Sequence, residues 1–147
     1  MNPAETDFDF WLGSWQLSWP AEQTPNIEPK GSNSIRKCYD GKVIQEIFST
    51  ADGSFRGMSI SVYDNQTGLW QQTWADNQGG YLVLTGKYAA GVMELRTEPK
   101  AQDHKLLVNR VRFTNIETDT LNWHWQRSED GGETWQDSWT IRYARCE

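Results

Sequence analysis

The residues of this chain that could do chemistry are few, and most sit among aromatic neighbours. Glu46 lies between Ile44 and Phe48 at a spacing of two, so on a strand its carboxyl group shares their face. An acid held among apolar side chains favours its neutral form, and its pKa rises toward the range useful to a general acid or base. By the same count Gln72 and Asp76 share a face with Trp70 and Trp74, Arg56 continues the face of Met58, Ile60 and Val62, and Arg110 that of Leu106 and Val108. Nine tryptophans occur in 147 residues. The pairs Trp70 and Trp74, Trp123 and Trp125, and Trp135 and Trp139 each project from one side of a strand.

Two readings of these residues stay open. In one, the indoles are walls and Glu46, Arg56, Gln72, Asp76 and Arg110 supply the oriented polar contacts of a site for a small, largely apolar or aromatic molecule. In the other, the aromatics fill the interior, and Glu46 and Arg56, placed opposite or diagonal by their hairpin, form a structural ion pair. The cavity of the first reading also suits an isomerase, cyclase or hydrolase with Glu46 as acid or base. A filled core suits a protein-interaction module, with Met58, Ile60 and Val62 turned outward.

Other chemistries find no residues here. His104 falls in a polar loop, and His124 shares a face with Asn122 and Gln126, so no metal-ligand set forms and no metal or cofactor is expected. There is no G-x-S-x-G elbow or phosphate loop. Fourteen basic residues, scattered against 20 acidic ones for a net charge of -6, argue against nucleic acid. No apolar run reaches membrane-spanning length, the first residues lack a secretory pattern, and Cys38 and Cys146 have no metal spacing. The expectation is a cytoplasmic protein with free thiols, monomer or homodimer.

Positioning these residues falls to strands. Alternation predicts ten, over 13–19, 31–39, 43–49, 55–63, 69–76, 81–88, 92–98, 105–115, 120–128 and 134–143. Glycine-containing turns such as Asp40-Gly41 and Ala89-Ala90-Gly91 join them as sequential hairpins. About ten twisted strands with one apolar face avoid open edges most simply by closing, so the expected fold is all-β, an up-and-down antiparallel barrel in a single domain over 1–147. A short helical turn capped by Thr6 would plug one end, and the proline-containing loop 20–30 would lie over the other.

Three motifs add detail. Ser128, Asp130, Gly132, Thr134 and Trp135 fit the Asp-box pattern, in which Asp and hydroxyl groups hold turn amides over a packed Trp; a single copy reads as a well-made turn. Gly13-Ser14-Trp15 resembles the G-x-W opening of lipocalin and calycin barrels, whose indole packs under a basic residue from the last strand, here Arg145. With Phe8 to Trp15, Trp70-Gln71-Gln72-Thr73-Trp74 and the 128–135 hairpin, nearly the whole chain resembles an uncharacterised, mostly bacterial, lipocalin-like family. The resemblance implies the barrel and no established activity. Nitrobindin-like haem barrels need a late axial histidine, which 143–147 lacks, and the likeness to bilin-attaching lyases is looser.

Overall fold

A computed structural model describes residues 3–146. The strands are β1 (Gly13–Ser18), β2 (Lys30–Cys38), β3 (Val43–Thr50), β4 (Arg56–Asp64), β5 (Leu69–Asp76), β6 (Tyr81–Ala89), β7 (Val92–Arg96), β8 (Lys100–Gln102), β9 (Lys105–Thr114), β10 (Thr120–Ser128) and β11 (Gln136–Arg145). All pairings between them are antiparallel. Ten strands, all but β8, follow one another around a ring that β11 closes by pairing with β1. The expected up-and-down barrel is therefore the fold, and its closure leaves none of the ten with an open edge.

Local sequence explains the tight connections. Ala90 and Gly91 both have positive φ, 52° and 80°, between paired Ala89 and Val92, the geometry of a two-residue hairpin whose twist matches its strands. The polar stretch that holds His104, read as a loop, begins with β8, a three-residue strand paired to β9 outside the ring. The last strand starts and ends two residues later than expected.

A β-bulge in that strand has a larger effect. Trp125 pairs with Trp139 and Gln126 with Asp137, which leaves Ser138 as an extra residue. Because side chains alternate with period two, the extra residue reverses the facing of what precedes it. Trp139, Ile141 and Tyr143 face the interior, whereas Trp135 lies outside; the expectation that Trp135 and Trp139 share a face is corrected for this reason.

The N-terminal plug forms as two short 3-10 turns, Pro3–Thr6 and Asp9–Trp11, the second preceded by Phe8 rather than by the expected Thr6 cap. Phe8 and Trp11 are fully buried, stacked at 4.7 Å, and Phe8 meets Trp70 and Phe113 edge-on at 5.3 Å each. These rings close the end of the barrel where β1 begins. At the opposite end the loop after β1 contributes no residue to the interior cavity. It is fastened to β11 instead: Gln23 donates to Thr140 Oγ1 (2.9 Å) and accepts from its amide (2.9 Å), and the Trp19 indole donates to Thr24 (2.7 Å). Its expected placement as a lid is replaced by this attachment.

Candidate functional site: the barrel interior

The floor of the interior is built by the opening motif. Gly13 has φ of +119°, and a Cβ there would lie 2.5 Å from an Arg145 guanidinium nitrogen, so glycine serves both the backbone and the close approach. Arg145, paired directly with Trp15, holds its guanidinium 4.1 Å over the indole. It also donates to the carbonyls of Leu12 (2.6 Å), Phe10 (3.3 Å) and Thr118 (3.0 Å). The Trp15 indole in turn donates to Trp11 O at 2.8 Å. One cation thus joins the plug, the first strand and the last.

Above this floor the strands enclose a cavity of about 200 Å³. Strand register sets Glu46, Ser59, Trp74 and Leu82 in one row and Ser61, Gln72 and Leu84 in the next, with Trp123 opposite Phe113 and Ile141 and Trp125 opposite Val111 and Trp139. Trp11 and Tyr143 line the cavity toward the plug, and Phe48, Phe55, Trp74, Asp76, Leu82, Trp125 and Trp139 form its rim at the end where β1 finishes. Trp139 is the hub of the rim, meeting Trp19 at 5.2 Å and Phe48, Phe55 and Trp123 at 6.0 Å each. Trp74 lies across the inward-facing Gly57, and its indole donates to Asp76 Oδ2 at 2.8 Å. Burial pushes the Asp76 carboxyl up, but that bond and those from the Gly80 and Gln78 amides hold it below the usual carboxylate range.

Glu46 is the chemically distinctive group. Only 7% exposed, it accepts from Ser59 Oγ at 2.6 Å through one carboxyl oxygen and from Asn33 Nδ2 at 2.7 Å through the other. Asn33 also donates to the Tyr143 hydroxyl oxygen at 2.9 Å. Burial raises the Glu46 pKa, and the two hydrogen bonds oppose that shift without cancelling it. Burial and the neighbouring Glu46 likewise push Tyr143 upward, keeping the phenol neutral. Gln72 donates to the buried Ser61 hydroxyl at 3.0 Å. The interior can therefore accept hydrogen bonds at a carboxyl group, exchange a proton there, and stack flat apolar groups on indoles.

Residues 8–145 match the family described as "Protein of unknown function (DUF1579)". The chain belongs to that family. The matched span begins at the plug residue Phe8 and ends at Arg145, which clamps the plug. No curated protein matches the chain significantly.

In this DUF1579 barrel, Glu46, Trp70, Gln72, Trp74, Asp76, Trp123 and Trp125 all face inward, and all but Trp70 line the cavity; Trp70 is buried lower, against Phe8 and Tyr63. Two arginines expected beside them do not. On β4 the small residues Gly57, Ser59 and Ser61 face inward while Arg56, Met58, Ile60 and Val62 face outward, so Arg56 is exposed and no ion pair with Glu46 forms. Arg110 faces outward on β9, donating to Gln126 (2.6 Å) and Glu94 (3.0 Å) beneath the Asp-box turn.

That turn is held as its motif implies: Asp130 Oδ1 accepts from Ser128 Oγ and from the amides of Glu133 and Thr134, and Ser128 Oγ accepts from the Gly132 amide. Trp135 packs under the guanidinium of Arg110 at 3.9 Å and beside that of Arg96 at 5.1 Å. His124 also faces outward, between Thr114 and Asp137. Among the described residues no cluster of His, Cys, Asp and Glu is placed to hold a metal, Cys38 and Cys146 are free thiols, and no helix is long and apolar enough to cross a membrane. The outer face of β3, β4 and β6 exposes Ile47, Met58, Ile60 and Val83, each between 40% and 55% exposed.

Sequence reasoning missed Asn33, Ser59, Phe48, Phe55, Leu82 and Tyr143 as site residues. Asn33 was the most accessible of them: it alternates with Ile35, so a buried Ile35 predicts a buried amide in need of a partner.

Proposed function

We propose that this protein is a lipocalin-like binding protein that takes a small, largely apolar or aromatic molecule into its barrel in the cytoplasm. The observation that carries the reading is the cavity of about 200 Å³ ringed by Trp74, Trp123, Trp125 and Trp139 with Glu46 and Gln72 within it. A concave, mainly apolar space with a few convergent polar groups is the usual form of a small-molecule site. The free thiols accord with a reducing compartment.

Calorimetric titration with a neutral aromatic probe, 1-naphthylmethanol, tests the reading directly, alongside native mass spectrometry of protein purified gently from its source. Saturable one-site binding that weakens in a folded Trp74→Ala variant is expected. A clean apo mass together with no probe binding would overturn it.

The buried, hydrogen-bonded Glu46 favours a second reading, in which the same cavity serves an isomerase, cyclase or hydrolase with Glu46 as general acid. A Glu46 titration by carbon NMR at the midpoint of an ordinary carboxylate would remove its basis.

A further inference from the structure

The charge around the cavity narrows what it would hold. Of the described residues lining it, the charged ones are Glu46 and Asp76, both acidic; no lysine, arginine or histidine is among them. The rest of the wall is largely aromatic, and a ring's face carries the negative end of its quadrupole. Carboxyl groups and ring faces therefore favour the same sign of guest. A carboxylate, phosphate or sulfonate entering here would leave water without meeting a countercharge, and an ion so placed is strongly disfavoured. A cation meets both kinds of partner at once, a carboxylate and aromatic faces.

Glu46 is prepared for that role by its neighbours. Ser59 from β4 and Asn33 from β2 donate to separate carboxyl oxygens at 2.6 and 2.7 Å, which fixes the plane of the group. An ionised carboxylate offers about four lone-pair directions, so two donors leave room for a ligand N–H. Tyr143 from β11 is the other titratable side chain next to it, and its phenol stays neutral. Among the described residues no cation pairs with Glu46.

We infer, building on the binding reading above, that the ligand is an organic cation: an ammonium group directed to Glu46, carried on an apolar or aromatic body that lies against Trp74, Trp123, Trp125 and Trp139. Burial disfavours the ionised acid in the empty barrel, and an ammonium supplies the missing countercharge.

The test is a matched set of probes of nearly one shape, 1-naphthylmethylammonium, 1-naphthylmethanol and 1-naphthoate, titrated calorimetrically into the full chain and its Glu46→Gln variant. For the native chain the cation binds about tenfold or more tighter than the alcohol, and the carboxylate weakest. In Glu46→Gln the cation falls to the level of the alcohol, whose own affinity changes less than about twofold. Alcohol or carboxylate binding as tightly as the cation overturns the inference while leaving the binding reading in place, as does a cation preference that survives in the variant. Binding by none of the three overturns the inference and, together with a clean apo mass, the binding reading as well. Should the variant not fold, the ranking of the three probes on the native chain decides alone.

Discussion

Gly57→Ala is the smallest change that should disturb the cavity wall. A Cβ at position 57 would lie 2.2 Å from Trp74 Cζ2 and 2.3 Å from Cη2, where ordinary contact begins at 3.4 Å, so the indole must withdraw by about 1.2 Å. It cannot do so freely, because its N–H is held to Asp76 Oδ2 at 2.8 Å and that carboxylate also receives two turn amides. Overpacking a filled site costs about 1 to 3 kcal/mol. Weakening the indole hydrogen bond adds about 1 kcal/mol. The expected loss is therefore about 3 kcal/mol, a fall in Tm on the order of 10 °C for a chain of this length.

Urea denaturation followed by circular dichroism measures it, in a cycle with Trp74→Leu. With the shorter side chain at 74, the added methyl group meets little, so the cost of Gly57→Ala should shrink to less than about 1 kcal/mol and the coupling should reach about 2 kcal/mol. A Gly57→Ala protein within about 0.5 kcal/mol of its parent, or an equal cost in both backgrounds, would refute the placement of Trp74 over Gly57.

Three further outcomes follow from the geometry. Because burial raises the folded-state pKa of Glu46, the folded chain holds the extra proton between the ordinary carboxyl pKa and that raised value, and stability falls as pH rises through this window. Glu46→Gln should flatten that part of the profile, measured as urea midpoint across about pH 4 to 9; an unchanged slope would assign it to another group. Arg145→Ala removes the contact over Trp15 and three hydrogen bonds to carbonyls, for an expected loss of about 2 to 4 kcal/mol in the same denaturation assay. A loss under about 1 kcal/mol would show that the clamp adds little. Asp130→Ala should expose the Glu133 and Thr134 amides to rapid hydrogen exchange and alter Trp135 fluorescence while leaving the interior amides protected; unaltered exchange there would contradict the structural role given to the Asp box.

Alternation was a sound guide wherever the apolar side of a strand is also the inner side. On β3, Ile44, Glu46 and Phe48 all face inward, and on β5 Trp70, Gln72 and Trp74 do so. The clamp between Trp15 and Arg145 was likewise legible, because the resemblance to a G-x-W opening called for a basic residue on the last strand and alternation put Arg145 on the face of Ile141 and Tyr143.

On β4 the rule inverts. Glycine and serines face inward, since Trp74 needs room over Gly57 and Glu46 needs the Ser59 hydroxyl, and Met58 and Ile60 are left outside. An apolar count therefore assigns Arg56 to the wrong side. Trp135 was misplaced for a different reason: no local signal marks Ser138 as a bulge, because that residue is defined only by how β10 and β11 pair. The aromatic rim also draws in Phe55, which the alternation placed at the start of a strand over 55–63 and which the structure leaves just before β4.

The Arg145 clamp also has an order in time. The guanidinium and the Leu12 carbonyl it holds are 133 residues apart in sequence. At ordinary rates of synthesis, on the order of 10 s separates their emergence from the ribosome. Through that interval Phe8, Trp11 and Trp15 have no closed ring to enter, because the strand that completes it is made last. Contacts of such long range also make for slow folding. A nascent or truncated chain thus displays its aromatic opening segment until the final strand arrives, which makes that segment a natural place for a chaperone to hold and a protease to recognise an unfinished molecule.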